Sequence, residues 1–217
     1  MEKEIVSSLS HPNIIKYEDY YEDSASHCKI LFTEFFESIQ LSKFILQSEL
    51  NNTTNNKIVA QIYDALKYLH ENNIIHQDFN AKNILINPKN LKIKIVDFGI
   101  SKKEHKEEII WSPQGNIKYR PPLFFQNYNN RYSTDIWSFC LVVLSILMKK
   151  LMTTKNTLKL IDKKKKKCLD LLSLYSDNHE EINGVLDFLE TVLFAESKET
   201  ENKHDSPLKL FELRCKS

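Results

Sequence analysis

The chain opens with apolar positions set three to four apart: Ile5, Val6 and Leu9 in EKEIVSSL at 2–9, a spacing that predicts a short amphipathic helix ending before His11 and Pro12. The period then changes. Residues 14–21 (IIKYEDYY) and 28–36 (CKILFTEFF) are rich in β-branched and aromatic side chains and predict a hairpin turning at 23–26. The polar run NNTTNN at 51–56 predicts a turn, after which Ile58, Ile62, Leu66 and Leu69 repeat at helical spacing and predict a longer helix. Two short strands, 84–86 (ILI) and 93–96 (IKIV), flank a turn at 87–90. No period is sustained from 97 to 122, and an aperiodic segment of that length in a compact domain is usually functional or mobile. Helical patterning returns at 135–148 and 180–195, followed by a loose charged end at 196–206 and LKLFEL at 208–213, which can dock back. No repeat is visible, and strands precede helices in an α+β order.

Composition narrows the class. A chain of 217 residues with 41% hydrophobic content can bury one substantial core, or one core with a smaller lobe, without disulfides. Cys28, Cys140, Cys168 and Cys215 form no CxxC pair, and no apolar segment follows a basic start, so a cytoplasmic, reducing compartment is expected. The longest apolar run, FCLVVLSILM at 139–148, is about half of the ~20 residues a bilayer crossing needs, which predicts a buried helix and no membrane partner. A formal charge of +1 supplies no global attraction to nucleic acid. KKKKK at 163–167 is the local exception; a solvated loop or helix face is preferred to a nuclear address or an anion patch.

Three separated stretches carry the chemistry. HQDFNAKN at 76–83 sets Asp78 five residues before Asn83, Asp97–Phe98–Gly99 follows a predicted strand, and Tyr119–Arg120–Pro121–Pro122–Leu123 precedes DIWS at 135–138. Their order and spacing resemble the eukaryotic protein kinase family: HRDLKxxN, DFG, YxAPE and DxWSxG. SLSHPNII after Glu2 resembles the end of that family's αC helix, and LFTEFF its hinge strand. The resemblance runs from Glu2 to about residue 193. It implies an α+β protein-kinase-like fold with a mostly helical large lobe at 37–195, a charged tail at 196–217, and an incomplete small lobe at 1–36 that lacks its first three strands. The glycines are Gly99, Gly115 and Gly184, so there is no GxGxxG loop, and no VAIK lysine precedes Glu2. A start within αC, with Glu2 lacking its ion-pair partner, is the corresponding expectation.

The resemblance also implies roles. Asp78 would be the base towards a substrate hydroxyl. Asn83 and Asp97 offer hard oxygens suited to Mg2+ shared with ATP. The backbone of Glu34 and Phe36 would meet the adenine edge, with Thr33 behind it and Leu85 as its floor. Val6, Tyr17, His76 and Phe98 would stack in a column over Asp135. The departures are equally specific. Asn80 stands where the family carries a lysine, and one preorganised donor is worth about 3–4 kcal/mol in the transition state. Lys82 sits where the tyrosine-kinase form of the loop has its cation; it is either a relocated cation or an exposed surface lysine. Gln77 replaces the arginine that meets an activation-loop phosphate, which makes Ser101 and Ser112 poor phosphosites. Asn116 replaces the threonine that meets the missing lysine, and Leu123 replaces a glutamate whose arginine partner is also missing. Tyr119, Arg120 and Pro122 resemble the serine/threonine-type members. The leading expectation is an ATP- and Mg2+-dependent kinase of protein Ser/Thr. The alternative is a pseudokinase that binds or scaffolds a protein partner.

Overall fold

The computed structural model describes residues 2–23, 25, 28–103, 115–121 and 132–165, in two compact units, 1–115 and 116–217. The expected helix at 180–195, the tail with its LKLFEL segment, Ser112 and Leu123 lie outside the described residues.

In the first unit, α1 (Glu2–Ser7) buries Ile5 and Val6, and Leu9 beyond its end is buried too. The expected hairpin forms from β1 (Tyr17–Asp23) and β2 (Cys28–Thr33), paired antiparallel with Asp23 opposite Cys28. Its strands are shorter at their outer ends than the pattern predicts. Ile14 leaves the hairpin for a parallel bridge to Ile95, and Ile15 donates its amide to the Ile95 carbonyl at 3.0 Å. The chain then makes β3 (Ile39–Gln40) and α2 (Leu41–Gln47).

α3 (Asn52–Glu71) corrects one expectation, because NNTTNN begins the helix instead of preceding it as a turn. Asn51 caps it: its side chain accepts the Thr54 amide at 2.9 Å, satisfying one of the four donors a helix start leaves open. Burial of Ile58, Ile62, Leu66 and Leu69, each 0% exposed, outweighs the weak helix propensity of Asn and Thr in the first turn. β4 (Ile74–Ile75), β5 (Ile84–Ile86), β6 (Ile93–Ile95) and β7 (Lys102–Lys103) follow. The sheet order is β3-β5-β6, with Ile84 opposite Ile95, and a separate two-stranded sheet pairs β4 with β7.

Gln61, on α3, ties this sheet to its surroundings. Its Oε1 accepts Asn13 Nδ2 at 3.0 Å and the Ile93 amide at 3.3 Å; its Nε2 donates to the carbonyls of Lys57 and Leu91 at 3.0 and 2.8 Å.

In the second unit, α4 (Ser133–Leu147) is apolar around its circumference, and Trp137, Phe139, Cys140 and Leu144 are all buried, as a helix without a polar face requires. α5 (Thr154–Lys165) carries the first three lysines of the 163–167 run on a helix. Trp137 Nε1 donates to Thr154 Oγ1 at 3.0 Å, and Ser138 Oγ to the Tyr119 carbonyl at 3.1 Å, fastening residues 118–120 to both helices. Cys28 and Cys140 are free thiols. Among the described residues, no helix is long and apolar enough to cross a membrane.

Candidate functional site

The turn between β4 and β5 is held together by its own amides. Asn83 Nδ2 donates to the Asp78 carbonyl at 2.9 Å and to Asp78 Oδ2 at 3.0 Å, so one side chain fixes both the backbone and the carboxylate of Asp78. Gln77, immediately before, takes a left-handed backbone with φ 66°, a conformation costly for a residue with a Cβ and found where the surroundings over-determine it. Gly115 approaches the same place. With φ +87°, a Cβ on it would lie 2.4 Å from the Gln77 carbonyl oxygen and 3.2 Å from Asp78 Oδ1, so only glycine fits there.

Asn83 also reaches the next motif through the backbone. Its carbonyl accepts the Val96 amide at 3.0 Å, while His76 Nε2 donates to the Val96 carbonyl at 3.1 Å. Val96 is thereby gripped from both sides, and Asp97 follows it with φ 68°, exposed. His76 is 0% exposed and packs on Phe98, ring centroids 5.0 Å apart, and edge-on against Phe79 at 5.7 Å. That is the structural place expected of it. Ser101 is likewise 0% exposed and donates its hydroxyl to the His76 carbonyl at 3.0 Å, which leaves it no access as a phosphosite.

A cleft of about 580 Å³ opens beside Asp97, lined by Thr33, Glu34, Phe36, Leu85 and Phe98 among others. Every residue expected to hold a nucleotide base is therefore in one wall system with Asp97, and the volume lies within the range of about 300–1,000 Å³ typical of small-molecule pockets. Asp78, Lys82 and Asn83 do not line this cleft; they sit on the turn that Asn83 joins to Val96. Lys82 is exposed, and its ammonium has no partner among the described residues. Glu2 lines the cleft, and a Cβ on Gly99 would lie 3.5 Å from Asp97 Oδ1 and 3.7 Å from Glu2 Oε2, so two carboxylates face the bare side of this glycine. Among the described residues, no cation pairs with either.

Lys94 belongs to none of the motifs in the sequence. On β6, three residues before Asp97, it donates to Glu34 Oε1 and to the Ile14 carbonyl, while the same Glu34 oxygen accepts the Lys16 amide at 2.8 Å. Burial alone would raise the Glu34 carboxyl pKa; the hydrogen bonds from Lys94 and the Lys16 amide overcome it and hold the group below its usual range. A lysine between the buried Ile93 and Ile95 was the available signal, since strand alternation sends it to the opposite face.

Residues 1–201 match the protein kinase domain family. The chain is 34% identical over 152 residues to calcium-dependent protein kinase 6 of Plasmodium berghei, covering 69% of this chain and 10% of that protein. It is 32% identical over 166 residues to the serine/threonine-protein kinase polo of Drosophila melanogaster, covering 74% of this chain and 28% of that protein. It thus spans under a third of the length of these relatives. A chain in the crystal structure of the yeast RNA Pol II CTD kinase CTDK-1 complex shares its fold with a TM-score of 0.61 at 22% identity, covering 73% of this chain and 55% of that one.

Proposed function

Because the chain belongs to the protein kinase domain family, we propose that it phosphorylates Ser or Thr hydroxyls of a protein substrate, with ATP as donor and Mg2+ held by Asn83 and Asp97. The observation that carries this reading is the Asn83 clamp on Asp78. It holds in one orientation the carboxylate that, on this reading, accepts the hydroxyl proton. Because the clamp uses only Nδ2, Asn83 Oδ1 is left uncommitted among the described residues, and the exposed Asp97 carboxylate follows the strand residue that Asn83 holds. Two hard oxygens of this kind would suit Mg2+. The donor set and the cleft volume therefore fit a metal-nucleotide.

When bound, Mg·ATP supplies the phosphoryl group and neutralises part of its charge. The rest falls to this chain. Asp78 accepts the proton of the substrate hydroxyl at its carboxylate and aligns that oxygen. The Glu34 carbonyl and the Phe36 amide would hold the base edge, with Thr33 and Leu85, which line the same cleft, as further walls. Lys82 brings the positive charge that position 80 does not supply. The serine/threonine preference is supported by the Tyr119–Arg120 sequence and by the relative named as a serine/threonine kinase.

A second reading is favoured by one observation: the Glu2 and Asp97 carboxylates have no described counter-charge. A pseudokinase that binds a protein partner, with nucleotide weakly held, tolerates this arrangement. The discriminating experiment uses purified protein with a generic basic protein substrate. On the enzyme reading, wild type transfers phosphate in Mg·ATP, and Asp78→Asn abolishes transfer while keeping the nucleotide-induced thermal shift. No transfer and no shift in wild type would leave the partner-binding reading standing. Undiminished transfer by Asp78→Asn would remove Asp78 from its role.

A further inference from the structure

Asn80 has gained something in place of the charge it lacks. It is 3% exposed, and both polar atoms of its side chain are used inside the turn: Nδ2 donates to the Asp78 carbonyl at 2.8 Å, and Oδ1 accepts the Lys82 amide at 2.9 Å. Its carbonyl also accepts the Asn83 amide at 3.0 Å. The Asp78 carbonyl thus receives two amide donors, from Asn80 and Asn83, one for each lone pair. Ala81 is held as well, since its carbonyl accepts the Ser42 amide from the first turn of α2 at 2.9 Å. The turn is therefore fixed at 80, 81 and 83, and Lys82 alone sends its side chain to solvent.

A lysine at position 80 could not make this arrangement. An ammonium has donors only, so the Lys82 amide would lose its acceptor. Asparagine, whose side-chain carbonyl closes a turn onto the amide two residues on, is the residue type suited to it. We propose that Asn80 is a positioning residue that fixes the backbone from which Lys82 delivers its charge to the phosphates, with the lock at position 80 and the cation at position 82. This rests on the phosphotransferase reading above. A charge at a fixed position stabilises a transition state because no reorganisation is needed when the reaction occurs. A turn-former without bearing on charge would instead act on Lys82 and on every other residue of the loop alike.

The test compares the full chain as wild type, Asn80→Ala, Asn80→Ser, Lys82→Ala and the Asn80→Ala/Lys82→Ala double variant. The probe is an acyl-phosphate derivative of ATP, which acylates lysine amines lying near bound phosphates; labelling is read by mass spectrometry and Lys82 amide exchange alongside it. In wild type, Lys82 is labelled and excess ATP blocks the labelling. Asn80→Ala loses most of it and speeds Lys82 amide exchange by up to about tenfold, the worth of one hydrogen bond. Turnover falls by about 10- to 100-fold, with KM for ATP little changed, as expected of a misplaced catalytic group. Asn80→Ser, which keeps an acceptor for the same amide, recovers labelling and turnover. In the Lys82→Ala background, Asn80→Ala costs clearly less than in wild type, the remainder coming from its bond to the Asp78 carbonyl. ATP-blocked labelling of Lys82 that persists undiminished in Asn80→Ala, or an Asn80→Ala loss that is equal in both backgrounds, overturns this proposal alone. Wild type that shows a thermal shift in Mg·ATP but no ATP-blocked labelling of Lys82 overturns this proposal and leaves the nucleotide reading; neither shift nor labelling overturns both.

Discussion

Replacing Lys94 by Met removes a cation while keeping most of its apolar length, and the structure sets the size of the effect. The side chains of Lys94 and Glu34 are 14% and 25% exposed. Exposed pairs contribute about 0–1 kcal/mol, and removing one partner of a fully buried pair costs about 3–5 kcal/mol. A pair shielded to this degree falls between these limits, at about 2 kcal/mol. For a chain of this length, each kcal/mol moves Tm by about 2–4 °C, so Lys94→Met lowers Tm by about 4–8 °C at neutral pH. Acid supplies the control. The Glu34 pKa is lowered in the folded protein from the ordinary value of 4.5, burial opposing and the bonds from Lys94 and the Lys16 amide prevailing. A lowered folded pKa gives stabilisation that is fully present above the unfolded value and is lost as pH falls through the folded one. The gap between wild type and Lys94→Met, followed by thermal unfolding, therefore closes as pH is taken well below 4.5. A gap that is the same at both pH values, or a cost at neutral pH under about 0.5 kcal/mol, refutes the assignment of this pair as a clamp on residue 34.

Gly115→Ala should lower turnover by about tenfold or more, because its Cβ meets the Gln77 carbonyl oxygen at 2.4 Å beside Asp78; wild-type turnover would show that the loop yields without moving the base. Asn51→Ala should cost about 1 kcal/mol in urea unfolding through loss of the bond to Thr54, with transfer unaffected under native conditions. Stripping divalent ions with EDTA should abolish the thermal shift given by ATP, and a full shift without metal counts against Asn83 and Asp97 as ligands.

Long-period features were open to sequence reading and short ones were not. The apolar row of α3 was predicted position by position, since Ile58, Ile62, Leu66 and Leu69 all turn to the core. The hairpin and the β5–β6 pair were visible for the same reason. By contrast, β3, β4 and β7 have two residues each, too few for any period, and the pairing of Ile74 with Lys103 joins segments far apart in the chain. In the candidate site, motif spacing singled out Asp78, Asn83 and Asp97, while the structure supplied what spacing cannot carry. The bond between Lys94 and Glu34 spans sixty residues. Asn80 was legible only as a missing lysine, because a residue's absent charge is visible in a string and its acquired bonds are not.

Gln61 has a consequence for how this sequence can drift. Its single amide supplies two acceptor contacts and two donor contacts to the segments around Asn13, Lys57 and the β5–β6 hairpin. Glutamate would lack the donors, and lysine or arginine the acceptors, so no one-step replacement at 61 satisfies all four groups. Asn13 also donates to the Ile93 carbonyl at 3.2 Å, so a change at either residue leaves the other with an unmatched group near the same strand. Positions 13 and 61, forty-eight residues apart, should therefore change together across relatives of this chain or not at all.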